Sequence, residues 1–384
     1  MSKPLIHLGF TSDEEPLDPF TSIPYPSWDG GKIGGKPFNL LPSNPLPLVP
    51  CPKCSDSPPM QFLLQIYAPA DDVCGPQTFH RMLYVFCCAT KNCDGVKVLR
   101  CQEKEDNKHF PKSNEVISKA SINEPPPPPP STPFIPLPSL CALCGLSPPK
   151  SLTCPAQKLP FCSRSHQKEY NSRVTKPTSV GSPPIKLKSV FEEICIVVEE
   201  EESDEGGDDV DIEAEMKKLG VINAKLENDD VQVSDPEVAG SGQDVEEIDD
   251  EKMDQKDMND ITGSKGVDDD VTIHFLATIG KEKSQILRYS RWNPFGVLWT
   301  SSRCTPDVIP RCEECGGERK FEFQVMPQLL NYLEVDEEEK PVVNVVMSKS
   351  RFEWGTIAVF SCVGSCGKSG GGYCEEYAWV QPPI

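Results

Sequence analysis

Eight cysteines of this chain fall into two sets of four that follow one order of landmarks. The first set runs Leu48-Val-Pro-Cys51-Pro-Lys-Cys54, then Phe62-Leu-Leu-Gln65, then Tyr84-Val-Phe-Cys87-Cys88 and Cys93. The second, about 260 residues further on, runs Val308-Ile-Pro-Arg-Cys312-Glu-Glu-Cys315, then Phe321-Glu-Phe-Gln324, then Ala358-Val-Phe-Ser-Cys362 and Cys366. A final strand-like run closes each copy at Gln102 or Gln381. A CxxC turn presents two thiolates from one tight knuckle, and a second pair arriving from an adjacent strand end completes a tetrahedral shell for Zn²⁺. Cys51, Cys54, Cys88 and Cys93 fit that scheme, as do Cys312, Cys315, Cys362 and Cys366. Four protein ligands leave no position for water, so these zincs are expected to clip the fold and not to catalyse. The competing reading is a set of ordinary buried thiols. Repetition of the whole unit predicts a duplicated element, its two copies forming halves of one body. The echo extends upstream, where Lys36-Pro37-Phe38 precedes the first CxxC much as Asn293-Pro294-Phe295 precedes the second.

A third cluster lies between the copies: Cys141-Ala-Leu-Cys144, Cys154, and Phe161-Cys162-Ser-Arg-Ser-His166-Gln-Lys-Glu-Tyr170. These residues resemble the MYND zinc finger, whose pattern interleaves two zinc sites on a short hairpin-and-helix scaffold. The resemblance implies that Cys141, Cys144, Cys162 and His166 make a complete first site. Its second site would need a CxxC beginning at Cys154, but Gln157 stands at the second position and no His or Cys follows His166 until Cys195. Fingers of this family usually bind proline-rich peptides, and Pro125 to Pro130 lie just upstream, so docking within the chain is one reading and a purely structural remnant the other. Cys74, Cys87, Cys101, Cys195, Cys304 and Cys374 have no ligand spacing and default to core or solvent thiols.

The elements that must position these groups are strands. Residues 1–102 carry Met60-Gln-Phe-Leu-Leu-Gln-Ile-Tyr, Arg81-Met-Leu-Tyr-Val-Phe and Val96-Lys-Val-Leu between Pro, Gly and Asp turns. Residues 283–384 carry Phe321-Glu-Phe-Gln-Val, Thr356-Ile-Ala-Val-Phe and Tyr373-Cys-Glu-Glu-Tyr-Ala-Trp-Val, with a short helix expected at Pro327-Gln-Leu-Leu-Asn-Tyr-Leu. Between them come a proline-rich linker at 103–140, the finger at 141–170 and an acidic linker at 171–282 in which only Val210 to Leu226 has weak helical periodicity. The expected architecture is mainly β with minor α. Two related β-rich, zinc-clipped halves form one body, interrupted by the finger and by disordered linkers, since a long insertion costs little once both ends are anchored.

Charge follows the same division. The chain of 384 residues has 40 Pro, only 37% hydrophobic residues and a net charge of −21. Residues 191–270 hold 30 acidic residues against 6 Lys, or −24, which leaves the remainder at −21 − (−24) = +3. The acidity therefore belongs to one segment. The N-terminus lacks a charged start followed by an apolar run, and no stretch of about 18 apolar residues occurs, so an intracellular soluble protein is expected. Eighteen cysteines in a reducing compartment point to metal rather than disulfides.

Catalytic constellations are weak, and no enzyme is expected. Gly367-Lys-Ser369 hints at a phosphate loop, but Cys362 stands where that loop needs its first glycine. The five histidines, at 7, 80, 109, 166 and 274, converge on no Ser or Cys nucleophile. His80 reads as a packed or surface residue rather than a base. The lack of a clustered Lys/Arg stripe argues against direct nucleic-acid binding, and nothing points to a membrane partner.

Over most of its length the chain resembles the programmed cell death protein 2 family. The matching residues are Leu8-Gly-Phe, Gly34-Gly-Lys-Pro37, Phe62-Leu-Leu-Gln-Ile-Tyr-Ala-Pro69, Phe79-His-Arg-Met-Leu-Tyr-Val-Phe-Cys-Cys88, the finger and Gln285-Ile-Leu-Arg-Tyr289. Further on come Cys312-Glu-Glu-Cys-Gly316, Phe321-Glu-Phe-Gln-Val-Met-Pro-Gln-Leu-Leu330 and Trp354-Gly-Thr-Ile. The resemblance implies a β-rich domain of two related halves. It also implies a dedicated chaperone for one newly made small-subunit ribosomal protein of the universal S-five type, acting in 40S subunit biogenesis and rRNA maturation, in the cytoplasm and also the nucleus or nucleolus. An acidic arm at Glu199 to Asp211 and Asp244 to Asp260 is compatible with a basic client, and equally with a linker kept open by its own charge. About three structural zincs per chain are expected. Two other readings are a MYND-type adaptor in transcriptional regulation and an RNA-processing enzyme, which predict proline-rich peptide binding and turnover of pre-ribosomal RNA respectively.

Overall fold

The computed structural model of the protein describes residues 5–12, 31–54, 59–90, 92–107, 139–155, 158–175, 190–201, 270–293, 296–333, 352–367 and 371–383. The proline run, most of the acidic stretch and the weakly periodic Val210 to Leu226 lie outside them. Two compact units result: one of residues 1–201, 284–297 and 305–384, the other of 202–283 and 298–304.

The first unit is built on the duplication. In the first copy β2 (Lys32–Ile33), β3 (Gln61–Tyr67), β4 (His80–Cys87) and β5 (Val96–Glu103) follow one another as an antiparallel meander. In the second, β9 (Leu287–Tyr289), β10 (Arg319–Val325), β11 (Thr356–Cys362) and β12 (Cys374–Gln381) do the same. Both copies slip register at one equivalent place, between Phe62 and Leu64 and between Phe321 and Phe323. Such a bulge turns two successive side chains toward one face, so Leu63 and Glu322 are both fully buried.

The meanders join along β5 and β12, with Arg100 opposite Cys374 and Val98 opposite Glu376. On the other side β1 (His7–Thr11) pairs with β9 and β8 (Ile194–Glu200) pairs with both β1 and β2, closing a ten-stranded barrel. A closed barrel has few open edges to pair with other chains. Gly34-Gly35 makes the β8 junction: Gly34 N–H donates to the Leu63 carbonyl and Gly35 N–H to that of Phe191. Gly34 has φ +59°, and a Cβ there would lie 2.2 Å from the Glu192 carbonyl oxygen, so only glycine fits.

Two expectations are corrected and one is met. Strand β8 falls inside 171–282, where a disordered acidic linker is expected, because its apolar run Ile194-Cys-Ile-Val-Val is diluted by the surrounding acids in any long window. The same stretch also ends in a helix, α3 (Asp270–Lys281), the main described element of the second unit; it buries Ile273, Phe275 and Ile279 and carries Asp270 and Lys281 at the favourable ends of its dipole. The short helix expected at Pro327 is present as a 3₁₀ helix over Pro327–Tyr332, with proline in its first turn and Leu329 buried.

Two cores result. The barrel interior is filled by Leu64, Leu83, Val85, Val98, Phe323, Ile357 and Val359, with Phe191, Phe352 and Trp354 packed into the same cluster. The outer face of β4 and β5 carries Tyr84, Phe86, Leu99 and Cys101 into a second cluster with Leu40, Leu46 and Leu143, Leu146 and Phe161 of the finger. The finger is thus part of the body. Its hairpin of β6 (Leu152–Thr153) and β7 (Pro160–Phe161) leads into α2 (Arg164–Thr175), the helix that follows the single turn α1 (Asp71–Cys74) in chain order, and Ser147 N–H donates to the Leu46 carbonyl.

Candidate metal centres

Each sequence-predicted quartet converges. The donor atoms of Cys51, Cys54, Cys88 and Cys93 all lie within 4.8 Å of one another, as do those of Cys312, Cys315, Cys362 and Cys366, and those of Cys141, Cys144, Cys162 and His166. A tetrahedral zinc with bonds near 2.3 Å to sulfur sets ligand sulfurs about 3.8 Å apart. The observed pairs match: Cys51 to Cys93 is 3.7 Å, Cys312 to Cys366 3.4 Å, Cys315 to Cys362 3.5 Å and Cys144 to Cys162 3.9 Å. At the finger the His166 Nδ1 stands 3.1 Å from Cys162 Sγ and 3.7 Å from Cys141 Sγ.

The surroundings fit a thiolate–metal cluster. Backbone N–H groups of Lys53, Thr90 and Gly317 point at the sulfurs of Cys51, Cys88 and Cys315, at 3.4, 3.4 and 3.3 Å, and such outer donors orient and stabilise metal-bound sulfur. Gly95 is required by contact, since a Cβ there would meet Cys51 Sγ at 2.6 Å and Cys93 Sγ at 3.3 Å.

Two of the CxxC knuckles share one backbone pattern. In the C-terminal centre Cys312 N–H donates to the Gly317 carbonyl and Gly316 N–H returns to that of Cys312; in the finger Cys141 and Leu146, then Gly145 and Cys141, do the same. Gly316 and Gly145 both have φ near +70°. Cys154 repeats the pattern: its N–H donates to Leu159, and Lys158 N–H returns to Cys154, with Lys158 at φ +56°. The knuckle of the degraded second MYND site therefore persists as backbone. Cys154 is buried in the outer core and is not among the converging donors.

The remaining cysteines have other places. Cys87 and Cys374 are buried, and Cys74 Sγ faces the Val363 carbonyl. Burial pushes the Cys101 thiol up to about 12 despite its contact with the Tyr84 hydroxyl, which keeps it protonated and inert. Cys195 is half-buried and Cys304 exposed. His80 is packed between the Tyr67 hydroxyl and the Glu105 carbonyl, and burial lowers its pKa, as expected for a core histidine. Lys368 and Ser369 of the phosphate-loop motif lie outside the described residues.

What sequence spacing missed is a buried charge network beside the C-terminal centre. Arg81 and Glu322 form a two-pronged pair with neither side chain exposed, at 2.5 and 2.8 Å. Arg100 and Arg319 both bind the buried Glu376, whose carboxylate also accepts the Cys362 N–H at 3.1 Å. Arg100 further donates to the Cys366 carbonyl at 2.6 Å. Side chains of the first copy thereby hold the metal knuckle of the second.

Comparison with known proteins completes the assignment. Residues 5–116 match the family model described as programmed cell death protein 2, N-terminal domain, and residues 269–382 that of its C-terminal putative domain. The chain is 32% identical to the bovine "Programmed cell death protein 2" over 91% of its length and 90% of the relative's. It is 30% identical to the mouse protein of that name over 98% and 96%, and 25% identical to the human "Programmed cell death protein 2-like" over 88% and 86%. No solved structure matches it. No helix among the described residues is long and apolar enough to cross a membrane. With both family domains present and relatives matching from end to end, the chain belongs to the programmed cell death protein 2 family.

Proposed function

We propose that this protein is a non-enzymatic, zinc-stabilised chaperone that binds a newly made small-subunit ribosomal protein of the universal S-five type and supports 40S subunit biogenesis, in the cytoplasm and the nucleus. The observation that carries the reading is the family match over both domains, joined to metal centres whose four protein donors each leave no coordination site for substrate. Zinc is the metal inferred, because all-sulfur and three-sulfur-one-nitrogen tetrahedra suit it. A nascent ribosomal protein is strongly basic, and the acidic stretch beyond Glu201 supplies low-specificity competing charge. The adaptor reading rests on the finger, yet Leu143, Leu146 and Phe161 are taken up by packing within the body, which favours a structural role for it.

The test is purification of the tagged protein with its translating ribosomes, followed by identification of the nascent chains bound. Enrichment of one small-subunit ribosomal protein is expected. Its absence, together with capture of proline-rich partners lost in Cys141→Ala, would replace the chaperone with the adaptor.

A further inference from the structure

Strand β8 carries Ile194-Cys-Ile-Val-Val-Glu-Glu at the end of the first unit. Two bonds set the phase of its ladder with β1: Ser12 N–H donates to the Cys195 carbonyl and Glu201 N–H to that of Ile6. In an antiparallel pair, bonded residues alternate, so residues 195, 197, 199 and 201 face β1 while 196, 198 and 200 turn their amides and carbonyls away. On that far side β2 pairs only with Ile194 and Cys195, and the Gly31 carbonyl takes the Ile196 amide. Beyond it, among the described residues, no strand pairs with Val198 and Glu200. Among the described residues, the outer edge of β8 is therefore paired at one end and open at the other.

The side chains at this edge are exposed on both faces. Val197 is 43% and Val198 38% exposed, and Glu199 and Glu200 are exposed beside them. Glu201 is engaged by Arg288 at 2.8 and 3.0 Å, whereas Glu199 and Glu200 make no ion pair with another described residue. Open edges are commonly guarded by lysine, proline or a bulge, and none of these occurs from 196 to 200. Glutamates guard it instead. They repel a second copy of this edge and favour a cationic strand, because like charges across a strand pair destabilise and opposite charges stabilise it.

We infer that the edge from Val197 to Glu200 docks an extended segment of a partner protein, rich in lysine or arginine and alternating with apolar residues, by addition as a further strand. As the surface that receives the client, this rests on the chaperone reading; as a peptide site, it stands without it. Backbone bonds to Val198 and Glu200 provide the pairing, the two valines the apolar contact, and the two glutamates the preference for positive charge.

The test uses the full chain, a labelled synthetic peptide of alternating lysine and valine, and a glutamate–valine control. Val198→Pro removes only the outward N–H, leaving the β1 ladder intact, and Glu199→Lys/Glu200→Lys reverses the charge should the proline variant fail to fold. Each is expected to weaken lysine–valine binding at least about tenfold while leaving the metal content and unfolding midpoint unchanged, with the control peptide unbound by the wild type. Equal binding by wild type and charge-reversed protein overturns the inference, as does slow amide exchange at Val198 and Glu200 without peptide, which would mean that the chain covers its own edge. Capture of the ribosomal protein by wild type and edge variants alike overturns the edge and leaves the chaperone; edge-dependent peptide binding without any ribosomal client does the reverse.

Discussion

Arg81 on β4 and Glu322 on β10 meet inside the barrel through two parallel hydrogen bonds, neither side chain reaching solvent. The first comes from one copy of the duplicated unit and the second from the other. Glu322 also accepts from the Tyr289 hydroxyl, and Arg81 donates to Ser365 and to the Ala68 carbonyl. Because the bulge in β10 aims the carboxylate inward, the pair records that the two copies have met in the correct register.

Breaking this pair leaves a buried charge without its partner, so Arg81→Met is expected to cost about 3–5 kcal/mol, read as a shift in the urea midpoint at pH 7. Arg81→Met/Glu322→Leu should recover much of that loss. The pH response has a definite sign. Burial alone would raise the Glu322 carboxyl, but Arg81, Ser361 and Arg291 hold it at about 2. The pair's contribution is thus complete above about pH 4.5 and is lost as pH falls toward 2. In Arg81→Met the carboxyl loses its main partner and keeps Tyr289 and Arg291, so it rises, and the stability it contributes should be lost at a higher pH than in the wild type.

Metal analysis of the native protein should return three zincs per chain, one for each quartet. Cys315→Ser and Cys141→Ser should each remove one. Cys154→Ser should remove none, because Cys154 holds a knuckle without reaching a donor set. A loss of metal in Cys154→Ser would mean that the second MYND site still binds.

Phe161 is fully buried beneath the finger hairpin, stacked edge-on to Tyr170. Phe161→Ala should cost about 3–5 kcal/mol and lower the midpoint of the same transition that reports the barrel, since finger and strands share a core. Leu152→Ala, on the exposed face of the same hairpin, should stay within about 0.5 kcal/mol. Separate unfolding of the finger would contradict the shared core.

Gly34→Ala should loosen β8, since its Cβ collides with backbone and its φ disfavours a β-carbon. Limited proteolysis should then cut between residues 190 and 201 faster than in the wild type. Gly280→Ala, which meets nothing within 4 Å on helix α3, should instead stabilise its helix by about 0.5–1 kcal/mol.

The metal quartets were legible because a CxxC turn and a strand-end pair are local features with few alternative uses. The main strands β3, β4, β5, β10, β11 and β12 were legible from their apolar runs for the same reason. Strand β8 was not, since five apolar residues beside three glutamates look like linker until β1, more than 180 residues earlier, supplies their partner. The buried Arg81, Arg100, Glu322 and Glu376 were equally hidden. Charged residues in a strand sequence ordinarily mark its wet face, and only opposite charges brought across a closed barrel make the interior habitable for them.

Sequence alone determined the duplication, the three candidate metal quartets and the β character of both halves, because these depend on residue type and short spacing. Tertiary structure decided that the halves close one barrel, that the finger shares its outer core, that four buried ion-pairing residues lock the copies together, and that β8 joins both copies at the barrel's seam. Each of those turns on contacts between segments far apart in the chain, where pairing partners and burial are set by the closed fold and by no local pattern.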